Sequence, residues 1–232
     1  MNPMLKVRGL KVIFPNARGI LKAVEGIDLD IEKGQCVALV GESGCGKSVT
    51  SLAIMKLLNS PPAMMQVDEL VLDQLDLNPL SDTQMQEVRG KQISMIFQDA
   101  MTALNPVMTV GRQIDEVFIR HNQLSKQEAR KATVHALGLV GVPEPAKRAN
   151  QFPHQLSGGM RQRILIAMAF ACMPKLIIAD EPTTALDVTI QAQVLDVLGD
   201  MQRKHQVSLL LITHDLSVVA NKIGRASCRE RV

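Results

Sequence analysis

Residues 35–58, QCVALVGESGCGKSVTSLAIMKLL, read as three pieces in a fixed order. QCVALV (35–40) is an apolar run of strand length, GESGCGKS (41–48) is a glycine-punctuated loop, and SVTSLAIMKLL (48–58) carries apolar residues at helical spacing. The loop satisfies G-x-x-x-x-G-K-[ST] and lies between a predicted strand and a predicted helix, the context that gives such a match its meaning. Glycines let the backbone curl until consecutive N–H groups point inward, and the following helix start adds its partial positive charge. Gly41, Ser43, Gly44, Cys45, Gly46, Lys47, Ser48 and Val49 are therefore the expected phosphate-binding set. Lys47 is placed to reach the β- and γ-phosphates of a nucleotide, and the Ser48 hydroxyl to ligate Mg2+.

Upstream of this unit, LKVRGLKVIF (5–14) and ILKAVEGIDLDI (20–31) alternate apolar with polar residues across a Pro/Asn/Gly turn, the pattern of a half-exposed antiparallel sheet. Downstream, QISMIF (92–97), KLIIAD (175–180) and VSLLLIT (207–213) are further apolar strand runs. Between roughly 104 and 155 the period is helical. SKQEARKATVHALGLV (125–140) opens with a Ser-x-x-Glu capping box at Ser125 and Glu128. Helices MRQRILIAMAFACM (160–173) and VTIQAQVLDVLGDMQRK (188–204) separate the last strands. Buried strands alternating with helices imply an α/β fold, a P-loop-type parallel sheet flanked by helices. The expected divisions are an antiparallel β region at 1–34, a nucleotide-binding core at 35–103 and 161–221, and an inserted helical subdomain at 104–160.

The strand ends then collect polar residues. Asp180 and Glu181 follow the apolar LIIA run, where parallel α/β folds gather ligand groups. Two adjacent carboxylates repel unless a cation relieves them, so Asp180 suits a metal and Glu181 suits general-base work on a water aimed at the γ-phosphate. Gln98 closes SMIFQ and suits metal or attacking water; His214 closes LLLITH and suits a hydrogen bond to the γ-phosphate; Asp187 lies shortly beyond the carboxylates. His121, His135 and His205 read as solvated positions. A second glycine pair, in QLSGGMRQR (155–163), also opens a helix, so Ser157, Gly158 and Gly159 form another anion-friendly start. The helical stretch between the two loops makes it awkward for both to grip one nucleotide within one subunit. Two copies arranged head to tail remove the difficulty.

With 46% hydrophobic and 21% charged residues, the chain is neither disordered, collagen-like nor a coiled coil. The longest apolar run, ILIAMAFACM, stops at Pro174 and Lys175, short of a membrane span. The N-terminus MNPMLKVRGL has no secretory pattern and Cys36, Cys45, Cys172 and Cys228 stand singly, so a reducing, cytosolic setting is expected. The formal charge of +3 resides in the last eleven residues, where Lys222, Arg225, Arg229 and Arg231 outweigh Glu230. Without a basic stripe elsewhere, a nucleic-acid partner is not expected. That stretch, KIGRASCRERV (222–232), lacks apolar periodicity and resembles a translated short-read sequencing adapter, which makes a non-native tail and a chain interrupted near Asn221 the expectation. A sheet cut there is expected to leave an unpaired apolar edge, with marginal stability and aggregation.

With these motifs in order, the chain resembles the ATP-binding cassette ATPases over residues 4–221. GESGCGKSVT, MIFQDAMTALNP, HQLSGGMRQR and IADEPTTALDVTIQAQ are similar to the oligopeptide/dipeptide/nickel branch of bacterial importers. The resemblance implies an ATPase in which each ATP lies between the phosphate loop of one subunit and the LSGG-type helix of its partner. It assigns Lys47 and Ser48 to phosphate and metal, Gln98 to metal and coupling, and Ser157, Gly158 and Gly159 to the partner's ATP. Asp180 falls to the metal, Glu181 to the base, Asp187 to dimer communication and His214 to the γ-phosphate, and Phe14 sits where an aromatic stacks on adenine. It further implies a homologous ATPase partner, integral-membrane permease subunits, an extracytoplasmic substrate-binding protein and a peripheral place on the cytoplasmic face of the inner membrane. An ABC regulator acting on translation or repair is the alternative; such proteins carry two cassettes or a long coiled-coil or zinc insertion, and neither is here. Met160 replaces a common glutamine, Ala100 a usual proline, and QVDELVLDQLDL (66–77) lacks the expected glycines, so a distorted hairpin is expected there.

Overall fold

The computed structural model describes residues 3–16, 19–184, 186–215 and 225–228. The chain forms two compact units, Met1–Arg89 with Ser208–Val232, and Gly90–Val207.

In the first unit, β1 (Leu5–Asn16) and β2 (Gly19–Ile31) pair antiparallel from Leu5↔Ile31 to Asn16↔Gly19. Leu5, Val7, Leu10 and Val12 turn inward, and the irregular spacing between Val7 and Leu10 is absorbed by a register shift. Three short strands extend this sheet: β4 (Met64–Gln66) and β5 (Glu69–Leu72) both pair with β1, and β6 (Leu75–Asp76) pairs with β5. The β5–β6 hairpin is regular, contrary to the distortion expected from its missing glycines. Asp73 and Gln74 form its two-residue turn at φ 43° and 73°, the sign a type I′ turn demands. Asp73 is one of the residue types that tolerates this region, and its carboxylate pairs with Lys33 at 2.8 Å.

The same unit holds β3 (Cys36–Val40), α1 (Lys47–Ile54), α2 (Asp82–Val88), β9 (Ser208–Thr213) and β10 (Arg225–Cys228). Parallel ladders join β3 to β9 and to β10. β10 lies within the stretch whose composition reads as a non-native tail, and it pairs along β3. A parallel ladder is made by backbone groups, so side-chain periodicity does not announce it.

In the second unit, β7 (Ile93–Ile96) and β8 (Leu176–Asp180) pair in parallel, from Ile93↔Leu176 to Ile96↔Ala179. Its helices are α3 (Ala100–Ala103), α4 (Val110–Asn122), α5 (Lys126–Leu139), α6 (Pro145–Arg148), α7 (Gly158–Phe170) and α8 (Val188–His205). α4 ends on Gln123 at φ 57°, and α5 starts two residues later on the expected capping box. Glu128 accepts from the Ser125 amide at 2.9 Å and Ser125 accepts from the Glu128 amide at 3.3 Å. α7 lacks a polar stripe because Ile164, Leu165, Ile166, Ala167 and Phe170 are buried on several sides. His205 departs from its reading as a solvated residue: its Nε2 is shielded from solvent, and its ring lies 6.5 Å from Phe170. No helix among the described residues is long and apolar enough to cross a membrane.

Candidate functional site

The phosphate loop is built by the elements on either side of it. β3 is apolar and buried from Val37 to Val40, which fixes the point at which the chain must turn. Gly44 and Gly46 take φ values of 83° and 88°, a region that L side chains rarely adopt. Gly46 is also sterically required: a Cβ there would lie 2.2 Å from the Ala23 carbonyl oxygen of β2. At Gly44 the space is open, so only its backbone conformation asks for glycine.

α1 begins at Lys47 with no side-chain cap and no acidic residue in its first turn, which leaves its N-terminal field for an external anion. Ser48 and Val49 lie in this first turn, and Ser43 is exposed on the loop. Lys47 is only 4% exposed, and its Nζ donates to the carbonyls of Gly41 at 2.8 Å and Glu42 at 2.7 Å. The Cys45 sulfur is 3.7 Å away, and among the described residues Lys47 has no carboxylate partner. An ammonium buried against neutral groups makes the loop a positive cradle. Phe14 is half-buried near the end of β1, opposite Leu21, which is 58% exposed. The carbonyl that touches Gly46 lies two residues further along β2, at Ala23.

The carboxylates Asp180 and Glu181 belong to the second unit. All five residues of β8 are buried, and Asp180 ends the strand at 4% exposure. Glu181 then turns sharply at φ 44°, a left-handed conformation that costs a non-glycine residue roughly 1–2 kcal/mol. Strain of this kind concentrates where a side chain must be aimed. The Glu181 Oε2 accepts from Gln98 Nε2 at 3.1 Å and from Thr184 Oγ1 at 2.9 Å. Because a carboxylate only accepts, the Gln98 amide is oriented with its nitrogen toward Glu181, and its oxygen has no donor among the described residues. The Ser48 hydroxyl of the first unit, and the Gln98 amide oxygen and Asp180 carboxylate of the second, are each hard donors of the kind Mg2+ takes. They fit that ion chemically.

The remaining expected residues also have local roles. Ser157 caps α7 by accepting from the Met160 amide at 3.3 Å, which leaves its O–H as a donor. A Cβ on Gly158 would lie 3.1 Å from Leu186, and one on Gly159 only 2.6 Å from Ile190, so the pair lets α7 approach the start of α8. Asp187 caps α8, accepting from the Ile190 amide at 3.0 Å. His214 is exposed immediately after β9. The structure thus gathers 41–49 in one loop and the helix start that follows it, and joins Gln98 to Glu181 directly. Thr184 and Gln191 were not singled out by sequence. Gln191 on α8 donates to the carbonyls of Thr183 and Leu186, both at 3.2 Å, and so ties down the turn after Glu181. The only sequence signal was a hydroxyl three residues past a candidate base, a spacing that one turn closes.

Comparisons with known proteins bear on this geometry. The ABC transporter family profile matches residues 24–184. The oligopeptide transport ATP-binding protein OppD of Bacillus subtilis is 55% identical over 224 residues, 97% of this chain and 63% of that one. The dipeptide transport ATP-binding protein DppD of the same organism is 53% identical over 98% of this chain and 68% of its own length. The chain therefore spans about two thirds of the length of these curated relatives. Among solved structures, a dimeric post-hydrolysis state of the ATP-binding cassette MJ0796 bound to ADP and Pi superposes with TM-score 0.81 at 29% identity, covering 93% of this chain and 90% of that one. The fold is that of the ABC cassettes, and the chain belongs to the ABC transporter family.

Proposed function

We propose that the chain is the ATP-binding and ATP-hydrolysing subunit of a bacterial importer for peptides or dipeptides. The observation that carries this reading is the phosphate loop, with an ammonium 4% exposed, held by neutral groups, beside an uncapped helix start. Such a cradle takes the triphosphate of a nucleotide, with Lys47 on the β- and γ-phosphates and the amides of 43–49 around them. Ser48, Asp180 and Gln98 are the residues to hold Mg2+. When bound, that ion supplies charge neutralisation to the phosphate oxygens. Glu181 accepts the proton of the attacking water, His214 donates to the γ-phosphate, and Phe14 packs on the adenine.

Ser157, Gly158 and Gly159 serve the ATP of a second cassette, either a copy of this chain or a homologue, and Asp187 carries the state of one site to the other. The dimeric state of the MJ0796 cassette and the names of the Bacillus subtilis relatives support this arrangement. Closure is driven by ATP because its γ-phosphate contacts both halves only in the closed state. The helices within 104–160 pass that closure to permease subunits at the cytoplasmic face of the inner membrane, and a substrate-binding protein delivers the peptide from outside.

The test is Glu181→Gln, which keeps a hydrogen-bonding side chain but removes the base. Fluorescent ATP analogue binding should persist, while hydrolysis falls by about 10²–10⁴-fold. Turnover at the parental rate would remove Glu181 from this role.

A further inference from the structure

Glu181, half-buried just past the buried strand β8, is held at both its backbone and its carboxylate. Its backbone sits at φ 44°, and the turn after it closes through the Thr184 amide on the Glu181 carbonyl at 3.1 Å. The Thr184 hydroxyl then reaches back to the carboxylate, donating to Oε2 at 2.9 Å. Gln98 donates to the same oxygen at 3.1 Å, but from an exposed position. Thr184 is half-buried, and Gln191 pins the carbonyls on both sides of it, at Thr183 and Leu186, to α8. Hydrogen bonds from a helix of eighteen residues therefore tie down the turn whose Thr184 hydroxyl reaches one carboxylate oxygen.

We propose that Thr184 is a positioning residue for Glu181: its hydroxyl, carried on a turn that Gln191 ties to α8, fixes the direction in which the carboxylate points. Holding one oxygen turns the other toward the water it activates, and a misdirected base costs rate without costing substrate binding. This rests on the reading of Glu181 as the general base. Thr184 touches neither nucleotide nor metal in this account; it acts only through Glu181.

The experiment compares steady-state ATP hydrolysis and nucleotide binding by the full chain and its variants. Thr184→Val keeps the branched shape and removes the donor, Thr184→Ala removes both, and Thr184→Ser keeps the donor. The valine and alanine variants should lose about 10–100-fold in kcat, with KM and ATP affinity within about twofold of the parent. Serine should restore kcat to within about threefold. In a Glu181→Gln background the valine change should subtract nothing further, because the group it positions is gone. The inference is overturned by parental kcat in both Thr184→Val and Thr184→Ala. It is also overturned by a loss that serine does not restore, by an equal loss of ATP affinity, or by additivity with Glu181→Gln. Parental turnover in Glu181→Gln itself overturns the base reading, so the two failures are told apart.

Discussion

Gly46 carries two constraints at once, a φ of 88° and a carbonyl 2.2 Å from where a Cβ would stand. Alanine there must both enter the left-handed region, at about 1–2 kcal/mol, and push β2 away from the loop. Gly46→Ala is therefore expected to lower stability by more than about 1 kcal/mol in denaturant titration and to abolish nucleotide binding. Burial sets a different residue-scale outcome for the cysteines. It pushes the Cys36 and Cys172 thiols up to about 11, the latter against an opposing pull from Lys91. A raised thiol value means that at about pH 8 only roughly one thiolate in a thousand is present. Alkylation followed by mass spectrometry should spare both sites in the folded chain and modify them after unfolding. At this scale Lys47, Asp180 and Glu181 were legible because each sits at a fixed offset from an apolar strand run. Thr184 and Gln191 were not, since their roles depend on a turn whose geometry comes from the left-handed backbone at Glu181.

The capping box at Ser125 and Glu128 shows how far local chemistry defines an element. Its hydrogen bonds to the Ser125 side chain and then to the Ser125 amide hold the Glu128 carboxyl below its ordinary value. A carboxyl lowered in the folded state stabilises above the ordinary carboxylate range, and that contribution is lost as pH falls through the lowered value. Glu128→Ala should reduce the melting temperature at about pH 7, and the difference from the parent should narrow as pH falls through the lowered Glu128 value. The β5–β6 turn makes the opposite point, because Gln74 occupies φ 73° without the glycine that this conformation favours. Gln74→Gly should relieve up to about 1 kcal/mol, read as a higher midpoint in urea.

Long elements with a clear period, β1, β2, α4, α5 and α8, were legible from the sequence for that reason. α2 was missed although Ser81 and Gln84 spell a capping box, closed in the structure by bonds of 2.8 and 3.3 Å. Seven residues are too few for a helical period to register. β4, β6 and β10 are shorter still, with two to four residues each, and exist through pairing with β1, β5 and β3. Tertiary partners, not local pattern, define such strands.

At the scale of the whole molecule, the proposed function has one nucleotide gripped by two chains. In that proposal Ser157 and the glycines after it are offered to the neighbour, and Ser157 retains an O–H to give after capping its own helix. The most direct measurement is the sedimentation-equilibrium mass of the Glu181→Gln chain, with and without saturating ATP and Mg2+. The mass of one chain is expected without nucleotide and of two with it, and a Ser157→Arg change in the same background should hold the mass at one chain. A single-chain mass with ATP demonstrably bound, or a dimer indifferent to both nucleotide and Ser157→Arg, would contradict it.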